Sequence, residues 1–295
     1  MSLKFSPQNL PFNTTLARQI ARQHLTHFNN VLWVGEHSYQ VVRKSYSQLK
    51  MPSPGPGVHG HFKDDAAWRK GSDEFRSWTR QHILISAASL LEVYVQSAAT
   101  AALSAKPELV DRSLENVAGI TFIKHPNRLP RHFADLVATR VDGLTKGLWA
   151  DRFRRMAQIF GVIPPALSDL SKDLQSIQDQ RNRIAHSYGV SGELRRTPWQ
   201  PLEAIVISPS RLVAAIKSVS AAIRLIDDNV LANHIGAYEI LHEFDVWSKK
   251  EKNFSQMRVA GTLPGAFRDH IGRAFGQSHG SAYIKQMIAY YVQIA

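Results

Sequence analysis

Between Leu167 and Tyr188 the residues Leu167, Leu170, Leu174, Ile177, Arg181, Ile184 and Tyr188 follow one another at steps of 3, 4, 3, 4, 3 and 4. That spacing brings every one of these side chains to one face of an α-helix, and it suits no strand, where the faces alternate at every second residue. Pro164-Pro165 opens the segment and Gly189 closes it. Proline is tolerated in the first turn of a helix and glycine is favoured just past its end, so both boundaries are marked.

The same pattern recurs elsewhere. Leu84, Ala88, Leu91, Val95, Ala98 and Ala102 step by 4, 3, 4, 3 and 4, which predicts a long core helix capped by Ser72 or Asp73, running to about Ser104 and stopped by Lys106-Pro107. Leu212, Ile216, Val219, Ile223, Ile226 and Val230 predict another after Pro209. A further helical pattern covers Thr14 to Leu49, with Gly35 as an expected interruption. Residues 108–164 read as shorter helices broken at Pro126, Pro130 and Pro164, with a basic cluster at Arg152, Arg154 and Arg155, and Ala204–Ser208 as a short extended run. Strand-type alternation is nearly absent, so the expected fold is an all-α helical bundle with extra N- and C-terminal helices. The stretch MPSPGPGVHG at 51–60 cannot continue a helix, and the composition changes again after Trp247. We therefore expect an N-terminal helical arm and linker over 1–65, a helical bundle over 66–248, and a basic C-terminal helical extension over 249–295.

The absence of cysteine from the 295 residues removes disulfides, thiolate metal sites and cysteine nucleophiles. The first thirty residues lack the apolar core of roughly 7 to 15 residues that a signal peptide needs. The most apolar stretch, Ile83–Leu103, is interrupted by Ser86, Ser89, Glu92, Gln96 and Ser97, so a soluble cytoplasmic protein without membrane contact is expected. A formal charge of +12 suits a polyanionic partner, because each phosphate neutralised by Lys or Arg releases counterions; the same surplus also serves solubility alone.

Phosphate-binding glycine loops, zinc-protease helices and nucleophile elbows are all missing. His59-Gly60-His61 and His242-Glu243 come nearest to metal-ligand pairs, and neither has a matching second half. Asp173, Asp179 and Glu193 are spaced too irregularly to assemble a two-metal site from one helix, and no metal or cofactor is expected.

What stands out is Gln180-Arg181-Asn182-Arg183-Ile184-Ala185-His186-Ser187-Tyr188-Gly189. Arg181 sits in the seam where an apolar residue is expected, and an unpartnered buried guanidinium is costly. It must therefore be paired or face a polar cleft. At about 100° per residue, Asn182 and His186 share a face and Tyr188 returns to within about 20° of Arg181. An imidazole that titrates near neutrality and a guanidinium fork are what phosphodiester chemistry needs, one to move protons and the other to meet charge developing on phosphate. Arg183 points elsewhere and could hold the substrate backbone. A purely structural alternative stays open, in which Arg181 pairs with a buried acid, Glu92 being the obvious one, and His186 caps the helix C-terminus.

Arg181-Asn182 followed by His186, near the end of a helix in an α-helical bundle, resembles the Arg-x4-6-His signature of the HEPN superfamily. Tyr188 extends it to the Arg-x4-His-x-Tyr form of HEPN toxins that are paired with a nucleotidyltransferase antitoxin. The resemblance covers residues 70–245 and implies a HEPN-like core. It also implies a metal-independent endoribonuclease, usually a homodimer whose two motifs meet in a shared cleft, in toxin–antitoxin or anti-phage systems. On that resemblance Arg181, His186 and Asn182 are the catalytic residues, Arg183 and Tyr188 bind substrate, RNA is the partner, and an antitoxin or inhibitor protein is a further one. The competing readings are a non-catalytic helical module that binds nucleic acid or nucleotide, and a structural dimerisation protein in which Arg181 sets register.

Overall fold

The computed structural model describes residues 4–45, 65–115, 117–187, 190–191 and 203–294. The fold is all-α. The principal helices are α1 (Leu16–Ser45), α2 (Asp65–Ala105), α3 (Thr121–Lys124), α4 (Phe133–Thr145), α5 (Trp149–Phe160), α6 (Pro165–Asp169), α7 (Ser171–Ser187), α8 (Pro209–Ile226), α9 (Ala232–Ile235), α10 (Tyr238–Lys250), α11 (Phe254–Val259), α12 (Leu263–Phe275) and α13 (Ser281–Gln293). The only extended pairing among the described residues is a two-residue antiparallel ladder, Val190–Ser191 with Glu203–Ala204. The linker at 51–60 lies outside the described residues.

The three seams are where the periodicity puts them. Along α2, Leu84, Ala88, Leu91, Val95, Ala98 and Ala102 are all buried, as are Leu212, Val219, Ile223, Ile226 and Val230 from α8 onward, and Leu167, Leu174, Ile177 and Ile184 along α6 and α7. Residues Ala66–Ala105 are long and apolar enough to cross a membrane by length and composition; within them Val95, Ala98, Ala99, Ala102 and Leu103 are fully buried in protein.

Some boundaries differ from expectation. α2 begins at Asp65, ahead of the expected cap, and Asp73 lies within the helix, accepting from Arg76 Nη1 at 3.0 Å one turn on. Gly35 does not interrupt α1; it lies inside the helix, where a glycine costs only about 1 kcal/mol relative to alanine. The stripe 167–188 is divided at Leu170 into α6 and α7. The run toward Ser208 joins the ladder only at Glu203–Ala204; beyond it the backbone is held by side chains of α2, Gln81 Nε2 donating to Ile205 O at 2.6 Å and Arg80 Nη1 to Ile207 O at 2.8 Å.

The chain forms two compact units, and their bounds differ from the expected breaks at 65 and 248. The first comprises residues up to 23, 90–172 and 220–295; the second comprises 24–89 and 173–219. In the first, the C-terminal helices complete the core: Phe267 and Ile271 of α12 and Ile284 and Met287 of α13 share one apolar cluster with Leu16, Ile123, Ile240, Leu241 and Phe244. Residues 249–295 are thus part of a core rather than an appendage. Also in this unit, Arg152 of the expected basic cluster is 1 % exposed; its guanidinium donates to Glu92 Oε1 at 3.3 Å and lies over the Trp149 ring at 4.3 Å.

In the second unit Leu25, Leu32, Tyr39, Trp68, Leu84, Leu174, Ile184 and Leu212 are buried. Glu36 is its charge hub. Arg80 Nε donates to Glu36 Oε1 at 3.0 Å, Arg76 donates to Glu36 Oε2, and the Arg76 guanidinium rests 3.9 Å from the centre of the Tyr39 ring. Tyr39 in turn stacks on Trp68.

Candidate functional site

α7 carries the Arg181 motif in its last two turns and belongs to the second unit. Its apolar stripe turns Leu174, Ile177 and Ile184 into the core, and Arg181, one step between the last two, is carried partly inward with them. The neighbouring Gln180 is 8 % exposed, and with its amide oxygen turned to Arg211 it accepts from Nε at 3.0 Å.

Arg181 is half-buried. Nη1 donates to Asn182 Oδ1 at 2.9 Å, while Nε is buried with no hydrogen-bond partner. Among the described residues no carboxylate pairs with this guanidinium. Glu92, in the first unit, accepts from Arg152. Among the described residues the Arg181 guanidinium bonds to a neutral amide alone, and it has further donors for an anion.

His186 stands exposed in the last turn of α7, where the helix dipole favours a cation. Five positions separate it from Arg181, which at about 100° per residue sets the two side chains roughly 140° apart around the helix axis. Asn182 shares the face of His186 and bonds to Arg181, so it is the element common to both. Arg183 is exposed. Tyr188 and Gly189 lie outside the described residues, as do His59, His61 and Glu193. Asp173 and Asp179 are both exposed, Asp179 accepting from Gln175 Nε2 at 2.8 Å. Among the described residues no group of three or more His, Asp or Glu is placed to hold a metal ion.

A second polar cluster, in the first unit, lies at the N-terminus of α1. α8 gives way to a π-helical turn at Asp227–Leu231, and Asp227 is fully buried there. Its carboxylate accepts from Thr15 N at 3.2 Å, Thr15 Oγ1 at 2.5 Å and Tyr94 Oη at 3.0 Å, and Arg18 pairs with it at 3.4 Å. Glu239 completes the cap, accepting from Leu16 N at 2.5 Å and Ala17 N at 3.2 Å. The first turn of any helix leaves such donors unsatisfied, and here two carboxylates meet them. Burial pushes the Glu239 carboxyl up to about 7, against the two backbone donors that favour its charged form. Burial and the adjacent Asp227 charge likewise push the Tyr94 phenol well above its ordinary value.

This cluster joins residues that lie far apart in the chain, Thr15, Tyr94, Asp227 and Glu239, and no local motif marks it. The seam position between Ile223 and Val230 is filled by Ile226, and Asp227 is the residue next to it, so the apolar period runs on unbroken there.

Comparison with protein-family models, with curated proteins and with solved structures finds no match to this chain.

Proposed function

We propose that the protein is a metal-independent endoribonuclease of the HEPN type, acting in the cytoplasm as a homodimer in a toxin–antitoxin or anti-phage setting. The observation that carries this reading is Arg181: a half-buried guanidinium in a helix seam, bonded to an amide and to no described carboxylate. Such a cation is suited to the charge that develops on a phosphate under attack. His186, exposed on the same helix, is the proton-transfer group at the ribose 2′-OH or the leaving oxygen, and Asn182 orients the guanidinium. Arg183 and Tyr188 bind substrate in this reading.

A second reading, a module that binds nucleic acid or nucleotide without cutting, draws on a different observation. No hydrogen bond to a described residue fixes the His186 ring, whereas bases that act in catalysis are commonly held by an orienting partner.

One experiment separates them. Pure protein is incubated with total RNA in excess EDTA, and the new ends are sequenced. The enzyme leaves 2′,3′-cyclic phosphates and 5′-hydroxyls and spares a substrate carrying 2′-deoxyribose at the scissile position. His186→Ala lowers cleavage by about 10²-fold or more, the usual worth of general acid–base catalysis, and leaves RNA affinity within about twofold. Binding without new ends in the wild-type protein establishes the second reading. Loss of cleavage in EDTA, or equal cutting of the deoxy substrate, removes His186 from the proposed role.

A further inference from the structure

The first unit contains an open cleft of about 570 Å³, formed by the start of α1, the second half of α2 and the first turns of α10. That volume lies within the roughly 300 to 1,000 Å³ typical of small-molecule sites. One wall is apolar. Ile20 and Val93 line it at 40 % and 55 % exposure, and Phe275 lines it as well.

The opposite wall is α10, where Glu239 and Glu243, four residues apart on one helix face, both line the cleft. The chain carries a surplus of twelve positive charges, yet no lysine or arginine is among the described residues lining this cleft. Each Glu239 oxygen accepts one backbone N–H of α1. A carboxylate oxygen has a second lone pair, so the group can take a further donor. Glu243 Oε1 lies 2.7 Å from His270 Nε2.

We propose that this cleft binds a small organic monocation, a primary ammonium head on an aliphatic or arylalkyl body, with the head between Glu239 and Glu243 and the body against Ile20, Val93 and Phe275. An ammonium supplies three donors where the cleft offers acceptors, and its apolar body covers the exposed aliphatic wall. A free carboxylate or phosphate would meet two like charges, and a neutral alcohol would gain only the apolar half. The proposal is independent of the motif on α7, since every residue lining the cleft belongs to the first unit.

The test is calorimetric titration of the full chain at pH 8, where Glu239 is ionised, with hexylammonium, hexanol and hexanoate as probes. Hexylammonium is expected to bind at one site per chain, hexanol about tenfold or more weaker, and hexanoate not at all, because a charge-assisted contact in a partly desolvated site is worth about a factor of ten or more. Glu239→Gln is expected to lose about tenfold in hexylammonium affinity. Because that residue also caps α1, Ser97→Phe serves as the second variant: Ser97 is exposed on the α2 wall, so a ring there fills the cleft without entering the core. It should abolish binding while the circular dichroism spectrum and melting temperature stay at wild-type values. Equal affinity for hexanol and hexylammonium, absence of binding by hexylammonium, or undiminished binding in a folded Ser97→Phe protein would each overturn the assignment.

Discussion

Arg181, in a helix seam, and Asp227, next to the seam residue Ile226, both carry a charge into the protein, and their surroundings differ. Asp227 is 0 % exposed, and its oxygens meet two donors of Thr15, the Tyr94 hydroxyl and the Arg18 guanidinium. Burial of a carboxylate is tolerable on those terms, and the group is spent on structure. Among the described residues Arg181 bonds to an amide alone, and that is what supports the proposed role for its charge. Glu239, beside Asp227 at the same cap, yields a pH prediction. Its carboxyl titrates near 4.5 in the unfolded chain and near 7 in the folded one, so between those values the folded state holds the proton that the unfolded state has lost. Stability contributed by this group is then fully present below about pH 4.5 and is lost as pH rises to about 7, the difference being about 3 kcal/mol. Urea unfolding at pH 5 and at pH 7.5 measures it. Glu239→Gln, which cannot ionise, should show a smaller fall between the two pH values, and an equal fall in both proteins would assign the titration elsewhere. The Arg181 group was legible because its residues are adjacent in the chain. Asp227 stands beside an unbroken seam, and what makes it a cap lies 212 positions away at Thr15 and 133 away at Tyr94; no local spacing encodes such a contact.

Among the elements, three seams were readable because apolar side chains at steps of 3 and 4 can be buried together only on a helix. Boundaries were less so. Asp73 has the composition of a cap, yet residues 65–72 continue as helix ahead of it, since a cap residue marks an end only where the preceding backbone leaves the helix. Gly35 reads as a break and is instead a helical residue whose absent Cβ would meet nothing within 4 Å. Gly35→Ala should therefore stabilise the protein by about 0.5 to 1 kcal/mol, through a less flexible unfolded chain and a better helix former. Gly119 is the opposite case: a Cβ there would stand 1.8 Å from Ser104 O and 2.7 Å from Ala105 O at the end of α2. Gly119→Ala must displace backbone, and we expect it to destabilise by about 1 to 3 kcal/mol, as overpacking does. Thermal melts of the two variants check both signs, and a Gly119→Ala protein as stable as wild type would show that this approach is not tight. The break at 248 was misplaced for a related reason. The charged run after Trp247 closes α10 at the surface, while Phe267, Ile271, Ile284 and Met287 beyond it return to the same core.

At the scale of the molecule, the geometry of α7 bears on how many copies act together. Cleavage through a 2′-OH calls for a base that takes the proton and an acid that gives one to the leaving oxygen. One copy of α7 supplies a single imidazole, and its guanidinium points roughly 140° away from it around the helix axis. Two copies facing each other supply two imidazoles, and the Arg181 of one can then stand opposite the His186 of the other. A homodimer with isologous contact is the simplest symmetry that does this. We therefore expect the catalytically competent species to be dimeric, with specific activity falling as the protein is diluted below its dimer dissociation constant. Sedimentation velocity run beside RNA-cleavage assays at matched concentrations measures both. Adding an excess of His186→Ala protein to the wild type should suppress the activity, because a mixed dimer keeps one imidazole where the reaction calls for two. Cleavage by a species that sediments only as a monomer at micromolar concentration, or undiminished activity per wild-type chain although mixed dimers form, would place both proton transfers within one chain and require a second titratable group near His186.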